Sequence, residues 1–412
     1  MSQGTGSTSD DRRVVIVGGG HAGGTLTGLL RQGGFTGEVV LIGEEPDPPY
    51  HRPPLSKSFD DDGLEQWLRD FAFYGEQDID LRLGEEVVSL DRDARRVVTS
   101  SGRSVDYDVL VLATGAAPRA IPVPGGDLEG VLELRTLADA RQLRAAVQRD
   151  GGIVVVGGGY VGLEVAAAAR ARGDEATVVE RESRILARVA STSLSEILTE
   201  YHQRNGTDVR TGAQVIELAE KHGSVRGVVL SDGTEIPCGS VLVGVGAVPR
   251  DRLAEEAGLV CAGGILVDSM TRTSDPAVLA IGDVTRRPLP GRPDPVRMES
   301  IPSAVEQAKQ AASIILNTRQ PRPEVPWFWS DQFDLKLKIA GLPGSADVLC
   351  RGDPTAGKFA LFHHEGGVVS CVESANAAAE FMAARKLIAN GARIDPAKLA
   401  DPEVPLRSAV SQ

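Results

Sequence analysis

The feature that most constrains this chain is a short apolar run that ends in a glycine-rich turn. Residues 14–17 read VVIV and are followed by GGGHAGG, so that Gly18, Gly20 and Gly23 form the pattern G-x-G-x-x-G. A buried strand, a tight turn and a helix packed closely on the strand require glycine at these positions. The amide groups at the start of that helix attract phosphate, and Glu44 ends the next apolar run, where a carboxylate can bind a ribose. Order and spacing together predict a dinucleotide-binding unit.

The same unit occurs a second time. Residues 153–156 form an apolar run, Gly157, Gly159 and Gly162 repeat the glycine pattern, and Glu180 ends the following run ATVVE. One such unit can arise by chance, but two units with the same internal order indicate a repeat. Two dinucleotide sites in one chain predict that electrons pass between two cofactors, most simply FAD and a nicotinamide nucleotide.

Two further apolar strands extend the repeat beyond the glycines. YDVLVLATGAAPR, which contains Thr114 and Gly115, and the similar SVLVGVGAVPR each follow their own glycine unit. One nucleotide domain is therefore predicted to be inserted into another, giving an α/β fold with two nested Rossmann-like domains and a small C-terminal α+β domain. The predicted boundaries are 11–123 and 251–325 for the FAD-binding domain, 124–250 for the NAD-binding domain and 326–412 for the C-terminal domain.

Charge and composition exclude several classes of function. The net charge of −13 over 412 residues argues against a general nucleic-acid partner. No uninterrupted apolar run is long enough to span a membrane, and residues 1–12 lack the apolar core of a signal peptide, so a cytoplasmic protein is expected. The four cysteines and six histidines show neither a C-x-x-C pair nor a metal-ligand spacing, so no metal site is predicted.

The segment after Glu44 is a candidate for holding functional side chains. Residues 46–59, PDPPYHRPPLSKSF, are too proline-rich for regular structure, and a rigid loop beside a cofactor unit can position charged groups. Arg52 and Lys57 are the candidates, with ordinary solvated charges as the alternative. Residues 64–76 carry a helical pattern.

The second half of the outer domain contains a further candidate. Asp283 directly follows a buried strand, where its carboxylate can bind a ribityl hydroxyl or cap a turn. A helix is predicted to begin near Pro302, with Ser303 and Glu306 at the spacing of a capping box. If that helix points at a flavin, its positive end favours negative charge on the reduced ring.

The character of the chain changes at Pro326. PWFWSDQFDLKLKIAGL predicts strands in which Trp327 and Trp329 share one face. Aromatic residues at this spacing are more often part of a core than cofactor contacts.

These motifs give the chain a resemblance to a known family. PPLSKSF, LATGAAPR, GGGYVGLEVAA, TSDPAVLAIGD, RMESIPSAVEQA and PWFWSDQ occur in this order, and the chain resembles flavin-dependent ferredoxin reductases of the putidaredoxin reductase and rhodocoxin reductase type. The similarity runs over nearly the whole chain. It implies the architecture of the glutathione-reductase-like flavoproteins.

The resemblance also implies site residues, in addition to the glycine patterns and Gly115. The family positions that hold FAD fall on Ala22, Glu44, Arg52, Lys57, Val87, Thr114, Arg135, Asp283 and Ile301. Those that hold the nicotinamide nucleotide fall on Gly157, Gly159, Tyr160, Glu164, Glu180 and Gly246. Lys57 is expected near the reactive edge of the flavin, with Glu164 close to Lys57 and the nicotinamide. Trp329 is expected beside the flavin, near the face offered to an iron–sulfur partner.

The implied activity is NADH-dependent ferredoxin reduction. Hydride passes from NADH to FAD, and single electrons then pass to a [2Fe–2S] ferredoxin that serves a cytochrome P450 or a ring-hydroxylating oxygenase. NADH is expected over NADPH, because the Glu180 carboxylate would repel a 2′-phosphate. There are two alternatives. One is a stand-alone oxidase or thiol–disulfide enzyme of the same fold, which is disfavoured because no cysteine lies between residues 44 and 75. The other is a signalling flavoprotein resembling apoptosis-inducing factor.

An acidic ferredoxin would be repelled by the net charge of this chain, so a local basic patch is expected to attract it. The candidates are Arg69, Arg286, Arg287, Arg292, Arg297, Lys336 and Lys338.

Overall fold

A computed structural model describes residues 10–59, 63–147, 151–344 and 347–410. The chain divides into two compact units. Unit 1 comprises Met1–His51, Glu65–Ala117 and Val248–Pro323. Unit 2 comprises Arg52–Leu64, Pro118–Ala247 and Glu324–Gln412.

The described residues form short strands and mostly short helices. In chain order the strands are β1 (Arg13–Val17), β2 (Glu38–Gly43), β3 (Ile79–Leu83), β4 (Val87–Asp91), β5 (Arg96–Thr99), β6 (Ser104–Asp106), β7 (Val109–Leu112), β8 (Ala116–Pro118), β9 (Val131–Leu132), β10 (Ile153–Val156), β11 (Ala176–Val179), β12 (Asp208–Arg210), β13 (Val215–Lys221), β14 (Ser224–Leu230), β15 (Glu235–Pro237), β16 (Ser240–Val243), β17 (Ala247–Pro249), β18 (Ile265–Leu266), β19 (Val278–Ala280), β20 (Thr285–Arg286), β21 (Trp327–Gln332), β22 (Leu335–Gly341), β23 (Asp347–Asp353), β24 (Lys358–Glu365) and β25 (Val368–Ala375).

The helices are α1 (His21–Gln32), α2 (Pro54–Lys57), α3 (Phe71–Glu76), α4 (Leu137–Val147), α5 (Tyr160–Ala171), α6 (Thr192–Arg204), α7 (Arg252–Glu256), α8 (Ile301–Ile315), α9 (Ala378–Asn390) and α10 (Pro396–Ala400). Two 3₁₀ turns lie at Gly282–Val284 and Leu406–Ala409.

Unit 1 is built on a parallel sheet with the strand order β19-β7-β1-β2-β3. In its central strand, β1, residues 14–17 are buried because both faces of the sheet are covered. Val14 and Ile16 face a core shared with α1 and α8. Val15 faces a second core, which includes Val97 and Val105 of the antiparallel sheet β4-β5-β6.

Unit 2 contains a second parallel sheet with the order β12-β11-β10-β16-β9. It also carries its own antiparallel three-stranded sheet, β13-β14-β15, which shares a core with β10 and β16. Both parallel sheets thus begin with strand, glycine turn, helix and strand, and both continue to a strand on the other side of the first. The predicted fold class, with two nested Rossmann-like domains, is confirmed, while the residue boundaries of the domains stay a prediction.

The C-terminal part of unit 2 is an antiparallel sheet of order β21-β22-β25-β24-β23. One face packs on α9, with Phe362, Val372 and Phe381 in the core. Trp327 and Trp329 lie on that face with ring centroids 5.8 Å apart, as the alternation of a strand predicts. Within the described part of the chain, no helix is both long enough and apolar enough to span a membrane.

Two local predictions are wrong in part. The helical pattern at 64–76 forms a helix only from Phe71, because a bridge between Tyr50 and Trp67 holds the preceding residues extended. Within the proline-rich segment 46–59, Pro54–Lys57 forms one helical turn, which proline at the first helical positions permits.

The predicted capping box at α8 is also wrong. The cap is Ser300, whose hydroxyl accepts a hydrogen bond from the backbone N–H of Ser303 at 3.3 Å. Glu306 instead accepts from the guanidinium of Arg287 at 2.5 Å, because both side chains are buried and each compensates the charge of the other. Pro302 lies in the first turn as predicted.

The close approach of α1 to the glycine turn gives a stability prediction. A methyl group at Gly23 would lie 2.1 Å from the carbonyl oxygen of Gly18, so the helix must move. Gly23→Ala is expected to lower the free energy of unfolding by about 3 kcal/mol, at the upper end for an overpacked core. Gly75→Ala is the control, because it adds a methyl group with no atom within 4 Å, inside a helix where alanine is preferred. Equal unfolding midpoints of the two variants in urea would contradict the packing argument.

Candidate functional site

Unit 1 places its glycine turn at the carboxyl ends of β1 and β7. Gly18 has a φ of +118°, and a side chain there would meet the carbonyl oxygen of Ala113 at 2.1 Å. Gly20 precedes α1, whose first turn has no capping side chain and no acidic residue. The first amides of α1 are thus left for an anion to bind, and the chemistry of the turn fits the diphosphate of a dinucleotide.

The turn that carries Asp283 lies close to the start of α1. A methyl group at Gly282 would be 3.0 Å from the side chain of Ala22. Gln307 on α8 holds this turn, since its amide oxygen accepts from the N–H of Gly282 at 3.2 Å and from the Thr285 hydroxyl at 2.7 Å. Unit 1 therefore brings Ala22 close to the turn that carries Asp283, at the ends of its strands.

The remaining predicted FAD residues of unit 1 have different surroundings. Glu44 is half-exposed and forms an ion pair with Arg250. The Thr114 hydroxyl donates to the Arg250 carbonyl at 2.7 Å, and the Arg250 N–H donates to the Gly115 carbonyl at 3.0 Å. Val87 begins β4 and is buried. Arg250 is thus a further residue of this site. Its guanidinium binds the same Glu44 carboxylate that a ribose would bind.

The first residue of α8 is Ile301, another predicted FAD position. Helix α8 packs against α1 and against the turn that holds Asp283. Because Ile301 is the first residue of the helix, no carbonyl oxygen within the helix accepts a hydrogen bond from its backbone N–H.

Unit 2 repeats the geometry of the glycine turn. Gly157 has a φ of +111°, and a side chain there would lie 2.5 Å from the Gly244 carbonyl oxygen. A side chain at Gly162 would lie 2.5 Å from the Gly157 carbonyl oxygen. Gly159 precedes α5 without a side-chain cap, and a methyl group there would meet no atom within 4 Å. This turn also leaves open space and free amides, which fits a second dinucleotide.

Glu180 directly follows β11, and its side chain points to the glycine turn of unit 2. Its Oε2 accepts from the N–H of Gly158 at 2.7 Å, and its Oε1 accepts from the N–H of Glu182 at 2.8 Å. The carboxylate is therefore fixed beside the turn. Gly246 follows β16 with a φ of +104°, and its carbonyl accepts from the Arg119 N–H at 2.9 Å.

Arg52 and Arg135, both predicted FAD residues, are brought together in unit 2. The Arg52 guanidinium donates to the backbone carbonyl of Arg135. Asp139 in the first turn of α4 accepts from the N–H of Arg135 at 2.9 Å and of Thr136 at 2.8 Å. The start of α4 thereby fixes the backbone that Arg52 contacts.

The carboxylate of Glu164 is a buried charge with several partners in unit 2. Glu164 lies on α5 and is 5% exposed. It forms an ion pair with Lys57 and accepts from the hydroxyls of Ser56 at 2.5 Å and Ser330 at 2.6 Å. Residues from α2, α5 and β21 therefore converge on a single buried charge, and the expected proximity of Lys57 and Glu164 is present.

Tyr160 is the first residue of α5, directly after Gly159. Its ring packs edge-on against Phe328 with centroids 4.8 Å apart. Its hydroxyl is buried and has no hydrogen-bond partner among the described residues. Burial raises the pKa of Tyr160 well above its ordinary value, so the group stays neutral. A buried hydroxyl without a hydrogen-bond partner lowers the stability of the fold.

Trp329 lies on the opposite face of β21 from Ser330. Its ring is beside Trp327, which packs on Phe381 with centroids 5.7 Å apart. The Trp329 side chain therefore belongs to the α9 side of the sheet, and its expected role beside a flavin stays a prediction.

The predicted basic patch needs correction at Arg287. Its side chain is 6% exposed and binds Glu306, so it cannot contact a partner. Arg286 donates to the backbone carbonyls of Pro295 and Ala262, and Arg297 pairs with Glu299. In unit 2, Lys336 is largely exposed and 3.4 Å from Asp331.

Several residues of these sites were not predicted from the sequence. Ser56 and Ser330 bind Glu164 from positions 108 and 166 residues away, and no local pattern marks such contacts. His21 and His51 also lie together in unit 1, with Nε2 and Nδ1 3.2 Å apart, and burial lowers the pKa of His51. The one available signal was the position of His21 inside the glycine turn.

The cysteines do not form a redox pair. None of the four forms a disulfide, and burial raises the pKa of Cys238 to about 12 and of Cys261 to about 11. Such thiols are poor nucleophiles at neutral pH. Among the residues that the structure describes, no group of three or more His, Cys, Asp or Glu side chains could hold a metal ion.

Comparison with known proteins places these sites in a family. The pyridine nucleotide-disulphide oxidoreductase family matches residues 12–308, and the reductase C-terminal family matches residues 327–410. Rhodocoxin reductase from Rhodococcus erythropolis is 40% identical over 405 residues, which cover 97% of this chain and 94% of that protein. The ferredoxin–NAD⁺ reductase component of the anthranilate 1,2-dioxygenase system of Burkholderia cepacia is 40% identical over 407 residues, which cover 96% of this chain and 98% of that protein.

A solved structure agrees with these relatives. The crystal structure of the covalent putidaredoxin reductase–putidaredoxin complex matches with a TM-score of 0.93 and 37% identity, covering 97% of this chain and 98% of that chain. The family is dependent on FAD and NAD(P)H, in agreement with the two glycine turns. The chain therefore belongs to the pyridine nucleotide-disulphide oxidoreductase family, and within it to the ferredoxin reductases of the putidaredoxin reductase and rhodocoxin reductase type.

Proposed function

We propose that this chain is an NADH:ferredoxin oxidoreductase that holds one FAD and binds NADH. The observation that carries the proposal is the pair of glycine turns, each uncapped at its helix and each at the end of a parallel sheet of the same order. Two dinucleotide sites suit transfer between two cofactors, and the relatives that match end to end are ferredoxin reductases.

We assign FAD to the turn of unit 1 and the nicotinamide nucleotide to the turn of unit 2. In unit 1, the amides of α1 bind the diphosphate and Asp283 binds a ribityl hydroxyl. In unit 2, the amides of α5 bind the second diphosphate and Glu180 binds a ribose. When bound, FAD accepts a hydride from the nicotinamide and releases the electrons one at a time.

Lys57 and Glu164 are proposed to act at the reacting rings. Glu164 is buried and the Lys57 side chain is only 14% exposed, so water screens the pair weakly, and each charge is fixed by the other. A fixed ammonium group stabilises the negative charge that a hydride brings, without reorganisation at the moment of transfer. Glu164 keeps that ammonium in place, and its three partners prevent the carboxylate from turning.

The electron acceptor is proposed to be a [2Fe–2S] ferredoxin that serves a cytochrome P450 or a ring-hydroxylating oxygenase. Trp329 is proposed to lie on the route to that partner. Thiol–disulfide chemistry has no support, because no two of the four cysteines form a disulfide. We propose a cytoplasmic location, since cysteines without disulfides are typical of a reducing compartment.

The first functional prediction concerns the reaction itself. The purified protein is expected to be yellow, with one non-covalent FAD per chain, and to reduce a [2Fe–2S] ferredoxin with NADH much faster than it reduces oxygen. Following cytochrome c reduction with and without ferredoxin measures both rates. A colourless folded protein that FAD cannot reconstitute, or oxygen consumption as fast as ferredoxin reduction, would contradict the proposal.

The second prediction concerns the choice of nucleotide. A 2′-phosphate beside Glu180 meets a like charge, while the nearby Arg184 is occupied by the carbonyls of Ala187 and Ala190. NADH is expected to be favoured over NADPH by about 100-fold in kcat/KM, since juxtaposed like charges cost several kcal/mol. Glu180→Gln is expected to lower the ratio of kcat/KM for NADH to kcat/KM for NADPH. Glu182 is an exposed acidic residue nearby, and Glu182→Gln is expected to leave that ratio unchanged. An unchanged ratio in Glu180→Gln would refute the role of Glu180.

The third prediction concerns the buried ion pair. Lys57→Met and Glu164→Gln are each expected to slow flavin reduction by NADH at least about tenfold, because an unpaired buried charge cannot keep the pair's geometry. Stopped-flow single turnovers measure the rate directly, with FAD content and circular dichroism as checks of the fold. The matched control is Glu235→Gln, which removes a half-exposed ion pair with Arg226 in the same unit. If flavin is reduced at the wild-type rate in both variants, the Lys57–Glu164 pair has only a structural role.

A further inference from the structure

A line of buried hydrogen bonds continues from Glu164 into the interior of unit 2. The Ser330 hydroxyl, which donates to Glu164 Oε1 at 2.6 Å, accepts from the side-chain amide of Gln332 at 3.1 Å. The amide oxygen of Gln332 lies 3.0 Å from Nε2 of His202. Nδ1 of His202 lies 3.4 Å from the hydroxyl of Thr207. The line joins the carboxylate on α5 to β21 and α6.

The groups of this line are shielded from water. Ser330, Gln332 and His202 are each 0% exposed. Ser330 and Gln332 alternate along β21, so both face away from Trp329 and towards α5 and α6. A buried polar row of this kind destabilises a core unless every member finds its partner. Here each member has one, so the row is a connected network that ends on a charge.

The network has a direction. Burial lowers the pKa of His202, so the imidazole is neutral at pH 7. Its Nε2 then donates to the Gln332 oxygen, and Nδ1 is left to accept from Thr207. That bond fixes the Gln332 amide so that its nitrogen donates to Ser330, and the Ser330 proton points to Glu164. Every donor along the line is therefore oriented towards the carboxylate.

We propose that His202, Gln332 and Ser330 are positioning residues, which hold the Glu164 carboxylate in the orientation that hydride transfer requires. The inference rests on the proposed role of Glu164 in the NADH reaction. Lys57 and Ser56 come from α2, a single helical turn, whereas Ser330 comes from a five-stranded sheet. The more rigid support of the Glu164 carboxylate is thus the sheet that carries Ser330 and Gln332, not the helical turn that carries Ser56 and Lys57.

The kinetic test is a double-mutant cycle between Ser330 and Glu164. Ser330→Ala is expected to slow flavin reduction by NADH about tenfold, because a hydrogen bond to a charged group is lost. Ser330→Thr keeps the hydroxyl and is expected to restore most of the rate. In a Glu164→Gln background, Ser330→Ala is expected to have little further effect, since its influence passes through the carboxylate.

The matched control is Ser374→Ala. Ser374 is equally buried in the same sheet, but its hydroxyl donates to the Lys338 carbonyl at 2.8 Å on the opposite face. It loses one buried hydrogen bond without touching the network, and flavin reduction is expected at the wild-type rate. Gln332→Met is a second network variant that fills the same volume, and it is expected to slow flavin reduction as Ser330→Ala does.

A readout other than activity is the imidazole of His202. Selective ¹⁵N-histidine labelling, with His202→Phe to assign the signal, is expected to show a neutral ring protonated at Nε2 at pH 7. A ring protonated at Nδ1, or a cationic ring at that pH, would overturn the direction of the network.

The outcomes separate the two claims. If Glu164→Gln slows flavin reduction while Ser330→Ala and Gln332→Met do not, the positioning proposal falls and the role of Glu164 stands. Additive effects of Ser330→Ala and Glu164→Gln would also overturn positioning. If Glu164→Gln reduces at the wild-type rate, the role of Glu164 falls and the positioning proposal falls with it. If the wild-type protein does not reduce ferredoxin with NADH, the proposed function fails independently of the cycle.

Discussion

The carboxylate of Glu164 is the constraint on which the reactive part of unit 2 depends. An ionised carboxylate that is 5% exposed loses its hydration, which costs several kcal/mol unless charge and hydrogen bonds replace it. Lys57 and Ser56 of α2 and Ser330 of β21 supply that replacement from two separate stretches of the chain. The geometry holds only while α2, α5 and β21 keep their places, so the sheet that carries Trp329 is also the support of the carboxylate.

A second constraint is steric and appears in both units. Gly18 and Gly157 have similar positive φ angles, and each backs onto a carbonyl oxygen that a side chain would strike. Gly23 and Gly162 then let the helix pack on the turn. The uncapped helix amides that result attract phosphate, whereas α6 and α8 begin at serine caps that use the same amides. The same backbone solution therefore serves two cofactors in one chain.

Much of this could be predicted because the determining signals are local. The glycine spacing specifies the turns, and the repeat of strand, turn and helix specifies two sheets of one order. The proximity of Lys57 and Glu164 was expected from the family resemblance, but the hydrogen bonds of Ser56 and Ser330 to Glu164 were not. Both serines are far from Glu164 in the sequence, and no local pattern marks them. Arg287 looked like a surface charge until the fold placed Glu306 beside it. The cap of α8 was misplaced because only Ser303 has a Glu three residues later, which is the spacing of a capping box, whereas the backbone shows that the helix already begins after Ser300.

The central claim is that the two glycine turns are separate sites that are filled together. Calorimetric titration of the FAD-loaded protein with NAD⁺, which cannot reduce the flavin, tests this most directly, with bound flavin followed by its absorbance. About one NAD⁺ is expected to bind per chain while all FAD stays bound, and Gly162→Ala is expected to weaken NAD⁺ binding without loss of FAD. Release of FAD as NAD⁺ binds, or no NAD⁺ binding to a protein that still holds FAD, would contradict it.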